Sequence, residues 1–252
     1  MRQRLVTFVL TMTLGIPIPA LAAQDGLGAT SRKMLAFFRD HGNQPVDAFL
    51  RQLRPDPIDP VSRARVIDSL PREDELTPSP KARAKLLIAE QILNYNARRG
   101  AIEIKVVTMD QPFVGLYFRS VVLISGQALT LLNPEELAAL VAHEVGHDYD
   151  FDAYATALQQ HDIARMRELE LESDGVAVLA LQQAGISPDR LIDAIRRVMR
   201  ASGQGEEASP AAASAVGSAS TTDRYVPFPE RVAFIRAVAA LRWATSPTAS
   251  KK

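Results

Sequence analysis

The sequence predicts an α+β domain that is mainly helical, with a small β-sheet ahead of one strongly capped helix. Three observations carry that class. Several stretches place apolar residues at helical spacing between clear start and stop signals. Between Ile102 and Ile124 the pattern changes to alternation and β-branched runs. Asn133-Pro134-Glu135-Glu136 then combines an N-cap, a first-position proline and a capping-box partner.

The elements follow in order. Arg2 and Arg4 precede an apolar run from Leu5 to Ile16, and Ala20-Leu21-Ala22 supplies the small residues a signal peptidase reads, so 1–22 is expected to be a signal peptide. The run is about half of what a membrane span needs. Cleavage after Ala22 removes both arginines and leaves 27 basic against 29 acidic residues, a slightly acidic exported chain expected in the periplasm. Ser31 to Asp40 and Val46 to Leu53 read as short, peripheral amphipathic helices, followed by the turn-rich Pro55 to Pro60. A longer helix is expected from Pro80 to about Arg98, stopped by Gly100. Strand character follows at Ile102 to Val106, Phe113 to Phe118 and Val121 to Ile124. After the capped helix, Ile163 to Ala184 and Ser187 to Arg200 read as helices, Ser202 to Thr222 as an Ala/Ser/Gly-rich flexible loop, and Pro229 to Trp243 as a last amphipathic helix.

Composition narrows the chemistry. The chain has 252 residues, 47% of them hydrophobic, enough for one or two packed domains. Its 29 basic and 29 acidic residues argue against a broad surface for nucleic acid. The absence of cysteine removes disulfides, thiol catalysis, iron–sulfur clusters and thiolate-bound zinc. A metal would have to sit on histidine and carboxylate, and there are only 4 histidines.

Two of them stand in His143-Glu144-Val145-Gly146-His147, an H-E-x-x-H motif inside the capped helix. Spacing i, i+4 puts both rings on one helical face, while Leu137, Val141 and Val145 fall on the opposite side and can be buried. Glu144 lies beside the histidines. In zinc peptidases a glutamate so placed takes a proton from the attacking water and passes it to the leaving amine. Gly146 costs a helix roughly 1 kcal/mol relative to alanine and needs a packing reason.

A catalytic zinc wants a third protein ligand, and Glu168 to Asp174 offers several acids. Helical projection separates them. Glu170 and Asp174 share a stripe with Met166, Ala177 and Leu181, whereas Glu168 and Glu172 point the other way with Arg165. A metal on Glu170, with Asp174 accepting the remaining ring N–H of a ligand histidine, satisfies both carboxylates. Neutralisation by core arginines is the alternative.

The run from Asn133 to His147, the Glu170-x-x-x-Asp174 pair, and a helix ending in Ala184-Gly185-Ile186-Ser187-Pro188 together resemble the HtpX/BepA-like zinc metallopeptidases, the family that includes the CAAX prenyl protease. The resemblance covers roughly residues 102–188 and, more weakly, 227–235. It implies a zincin-like domain holding one zinc on His143, His147 and Glu170, with Glu144 as general base and Asp174 behind the metal. With the signals above, the chain is expected to divide into a signal peptide (1–22), a helical, turn-rich extension (23–78), a metallopeptidase core (79–201), a loop (202–222) and a closing helix (223–252). Departures are visible. Ser173 stands where the family usually has alanine, the late Phe228-Pro229-Glu230-Arg231 segment lacks the family's histidine, and the strand before the motif lacks its usual Asn-Ala.

In the family such a strand pairs with substrate, which makes Gly115 to Phe118 a candidate substrate edge. Transition-state contacts are open among Arg231, His161, Tyr225, Tyr149 and Tyr154. The expected function is metalloendopeptidase action on unfolded or misassembled envelope proteins, with at most peripheral or transient association with the envelope. The alternatives are a latent or chaperone-like zinc-binding protein and a metal-free helical interaction domain.

Overall fold

The computed structural model describes residues 26–71, 74–203 and 226–245. The leader at 1–22, nearly all of the 202–222 loop, and Tyr225 lie outside the described residues. The described chain is α+β and mainly helical. In order it runs α1 (Ala29–Asp40), α2 (Val46–Leu53), α3 (Pro60–Asp68), α4 (Pro80–Tyr95), β1 (Glu103–Val107), β2 (Val114–Tyr117), β3 (Val121–Ser125) and α5 (Gly126–Leu131). It continues with α6 (Pro134–Tyr149), α7 (Phe151–Gln160), α8 (Ile163–Gln183), α9 (Asp189–Ala201) and α10 (Phe228–Ala239). Among the described residues no helix is long and apolar enough to cross a membrane.

The three strands form one sheet in the order β1-β3-β2, with β3 parallel to β1 and antiparallel to β2. This leaves β2 on an edge, and β2 lies against α6. Helix α6 starts on the capping box seen in the sequence: Asn133 Oδ1 accepts from the Glu136 N–H and Glu136 returns the bond to the Asn133 N–H, both at 2.9 Å. It packs against α4, α8 and α9. Its buried face is built from Ala138, Ala139, Ala142 and Gly146 as well as Leu137, Val141 and Val145, so neighbouring helices approach closely. At Gly146 an added Cβ would stand 2.7 Å from the Ser173 backbone, which is the packing reason the helix tolerates a glycine there.

Several elements differ from the sequence reading. Helices α1 and α2 are not peripheral: Phe38 and Phe49 are fully buried in the same core as α6 and α8, and α1 packs on α8 and α10. Their aromatic residues reach the core although the helices are short. Helix α3 starts where the turn-rich Pro55 to Pro60 ends and has no counterpart in the sequence reading; Asp59 caps it by accepting from Val61 and Ser62, Pro60 takes its first position, and it buries no residue, so no apolar stripe announces it. Helices α5 and α7, of 6 and 10 residues, are too short for periodicity to separate them from α6 and the loops around it. Helix α4 ends at Tyr95, and Ala97 turns left-handed at φ 50° so that Arg98 points inward.

Candidate metal centre

Helices α6 and α8 cross where His143 and His147 meet Glu170, and these three residues form a largely buried group able to hold a metal ion. The two Nε2 atoms are 3.2 Å apart, and each lies 3.7 Å from a Glu170 carboxylate oxygen. Ligand atoms on a tetrahedral ion with bonds of about 2.0–2.1 Å stand roughly 3.3–3.4 Å apart, so the spacing fits such an ion with small adjustment. Glu170 Oε2 is buried with no hydrogen-bond partner. A cation would satisfy it.

The far side of each ring is held. His143 Nδ1 is 3.0 Å from Asp174 Oδ1, and Arg231 grips Asp174 through Nε at 2.8 Å and Nη2 at 2.6 Å. His147 Nδ1 is 3.0 Å from Ser173 Oγ and 3.9 Å from Asp150 Oδ1. Each ring thus has an oxygen beside its Nδ1, and a metal that displaced the Nε2 protons would take both Nε2 lone pairs at the common centre.

Charge favours a cation there. Burial works against a charged His147 ring, but Glu170, Asp150 and Glu144 outweigh it and lift the ring to about 10. Burial opposes ionisation of Asp174 too, yet the Arg231 guanidinium and the His143 ring hold its carboxyl well below the ordinary range. Burial also disfavours the Arg231 charge, and Asp174 more than reverses that. Glu144 is pushed up by burial, against the pull of the two histidines.

The cleft over this centre has a volume of about 360 Å³ and is bounded by β2, α6, α9 and the start of α7. Leu140, Ile195 and Val198 close one end; Tyr117, Phe151 and Tyr154 line the other. Antiparallel pairing turns the backbone of Phe113, Gly115 and Tyr117 toward β3, so the N–H and C=O of Val114 and Leu116 face outward. The Leu116 N–H donates to Glu144 Oε2 at 2.9 Å. The edge strand therefore orients the motif glutamate.

The structure brings together His143, His147, Glu170, Glu144, Asp174, Gly115 and Arg231 at one cleft. Arg231 commits two of its donors to Asp174, so metal-side support and core arginine pairing are one arrangement and not alternatives. His161 is not part of the cleft: it is exposed at the end of α7, left-handed at φ 53°. Tyr149 is also diverted, its hydroxyl donating to Asn96 Oδ1 at 3.0 Å. Tyr154 stays, its ring 5.4 Å from that of His147.

The Leu116 bond to Glu144 and the approach of Ser173 and Asp150 to His147 were not foreseen from the sequence, although Leu116 fell in the candidate substrate edge and Ser173 was noted as a departure. Asp150 was detectable, since i, i+3 spacing from His147 puts it on the same face. The other two were not, because a backbone N–H has no residue signature and the Ser173 contact depends on how closely α8 meets Gly146. Among known proteins, no family model matches the chain and no curated protein matches it.

Proposed function

We propose that the chain is an exported, zinc-dependent endopeptidase that hydrolyses peptide bonds of unfolded or misassembled envelope polypeptides. One observation carries the reading: two histidines and a buried carboxylate with one unpartnered oxygen converge at ligand spacing next to a glutamate that is held in the cleft without being part of the ligand group. A bound zinc would supply Lewis acidity toward a water and the scissile carbonyl.

The chain's own residues supply the rest. Glu144, fixed through one oxygen by the Leu116 N–H, keeps its other oxygen to accept a proton from the attacking water and deliver it to the leaving amine. Its burial raises its proton affinity toward the range a general base needs. Asp174 and Ser173 keep the two rings in the tautomer that presents Nε2. The outward N–H and C=O of Val114 can pair with an extended substrate backbone, which favours polypeptide over a compact small molecule.

The test is digestion of an unfolded protein by the purified mature chain. Cleavage should stop on chelation and return with zinc at about one ion per chain. A chain that takes up no zinc under metal-replete conditions would sink the proposal.

A further inference from the structure

Aromatic residues are scarce in this chain, 6% of the total, and four Phe side chains (Phe38, Phe49, Phe228 and Phe234) are spent in the core. Tyr117, Phe151 and Tyr154 line the His147 end of the cleft, and Phe118 stands exposed beside Tyr117 and Phe151. Tyr117 and Phe118 meet edge to face with centroids 4.8 Å apart, Phe118 stands 6.5 Å from Phe151, and Tyr154 meets the His147 ring at 5.4 Å.

The backbone beneath them is strained. Phe118 and Arg119 are the two central residues of the β2–β3 hairpin, and both are left-handed, at φ 42° and 56°. Such turns favour Asn and Gly, because a bulky side chain in this region costs about 1–2 kcal/mol. For Arg119 the fold supplies a reason: Nε donates to Asp148 Oδ1 at 2.8 Å and Nη2 to the Asp56 carbonyl at 2.7 Å. Phe118 has no such reason. Its residue remains 56% exposed, so little burial offsets the strain, and folding alone would be better served by glycine.

We propose that Tyr117, Phe118, Phe151 and Tyr154 form an aromatic subsite beside the metal centre that takes a bulky apolar side chain, aromatic above all, of an extended polypeptide next to the scissile bond. The inference rests on the endopeptidase reading. Its occupant follows from continuity with the cleft. A chain paired on the outward N–H and C=O of Val114 and continuing along β2 runs on to Tyr117 and the hairpin, carrying a side chain past the rings beside the metal centre. Ring faces and edges favour an aromatic or large aliphatic group over a small or charged one.

Two measurements test this on the full mature chain loaded with zinc. Peptide-library digestion should show Phe, Tyr, Leu or Met enriched at one position flanking the cut. Equilibrium binding to zinc-loaded Glu144→Gln should favour a Phe peptide over its Ala counterpart by about tenfold or more. Phe118→Gly should reduce that Phe-over-Ala ratio about tenfold while zinc content holds and the thermal midpoint stays level or rises. Phe151→Ala provides the same selectivity readout from the α7 side. Unchanged ratios in both variants, or a wild type without preference that still cleaves, would overturn the subsite. No cleavage but a retained Phe-over-Ala difference in binding would sink the endopeptidase reading and support the subsite.

Discussion

The α6–α8 crossing and the β2–β3 hairpin flank the same cleft and are built in opposite ways. At the crossing, polar side chains are packed inside the fold: Asp174 bridges His143 and Arg231, Ser173 faces His147, and Gly146 lets the two helices touch. At the hairpin, one side chain is exposed on strained backbone and the edge of the sheet faces outward. On the proposed function, the difference separates two tasks. Metal ligands need positions held within fractions of an ångström by rigid elements, whereas substrate recognition needs unpaired groups left accessible.

The contrast is sharpest if breaking the crossing costs stability and metal together. Arg231→Leu leaves the Asp174 carboxylate buried without its cation, and we expect a loss of about 3–5 kcal/mol with zinc affinity lowered about 10–100-fold. Denaturant unfolding and zinc titration check both. The same pair sets an acid limb. Because Asp174 ionises below its ordinary 3.8, the folded state binds fewer protons than the unfolded state there. Its contribution is complete above about pH 5 and is lost as pH falls, so Asp174→Asn should be less stable at neutral pH with a flatter acid limb.

Gly146→Ala breaks the crossing by crowding instead of charge. The new methyl would meet backbone of α8, which cannot rotate away, and a loss of about 1–3 kcal/mol is expected in thermal or denaturant unfolding. An alanine variant as stable as wild type would show that α6 and α8 are not in the contact described.

Glu172 gives the smallest and opposite effect. Burial, with Asp150 nearby, pushes its carboxyl up to about 7. A raised carboxyl costs stability once pH exceeds the unfolded value of 4.5, so stability should decline as pH rises from there to about 7. Glu172→Gln should remove that decline and gain up to about 1 kcal/mol at pH 8, the residue being only partly buried. A midpoint that does not respond to the substitution at pH 8 would contradict this.

The crossing was far more legible in sequence than the hairpin, for a physical reason. Helical periodicity converts spacing into position, so i, i+4 pairs in two helices were enough to put His143 with His147 and Glu170 with Asp174 on their faces. The cap at Asn133 located the motif helix for the same kind of reason, being a local hydrogen-bond pattern. Burial of α1 and α2 depends on which surface they meet and left no local mark beyond Phe38 and Phe49. The β2 register was beyond reach because it is set by β3, and the Leu116 N–H that holds Glu144 follows from that register alone. Left-handed Phe118 and Arg119 ran against turn preference, which is why local signals passed over them.

The central claim is that Glu144 acts as a base at a metal held by His143, His147 and Glu170. It is tested most directly by comparing wild type and Glu144→Gln, both loaded with one zinc per chain, for cleavage of one unfolded protein. The account predicts that the variant keeps its zinc and loses about 10²–10⁴-fold in rate. Equal rates in the two proteins would contradict it.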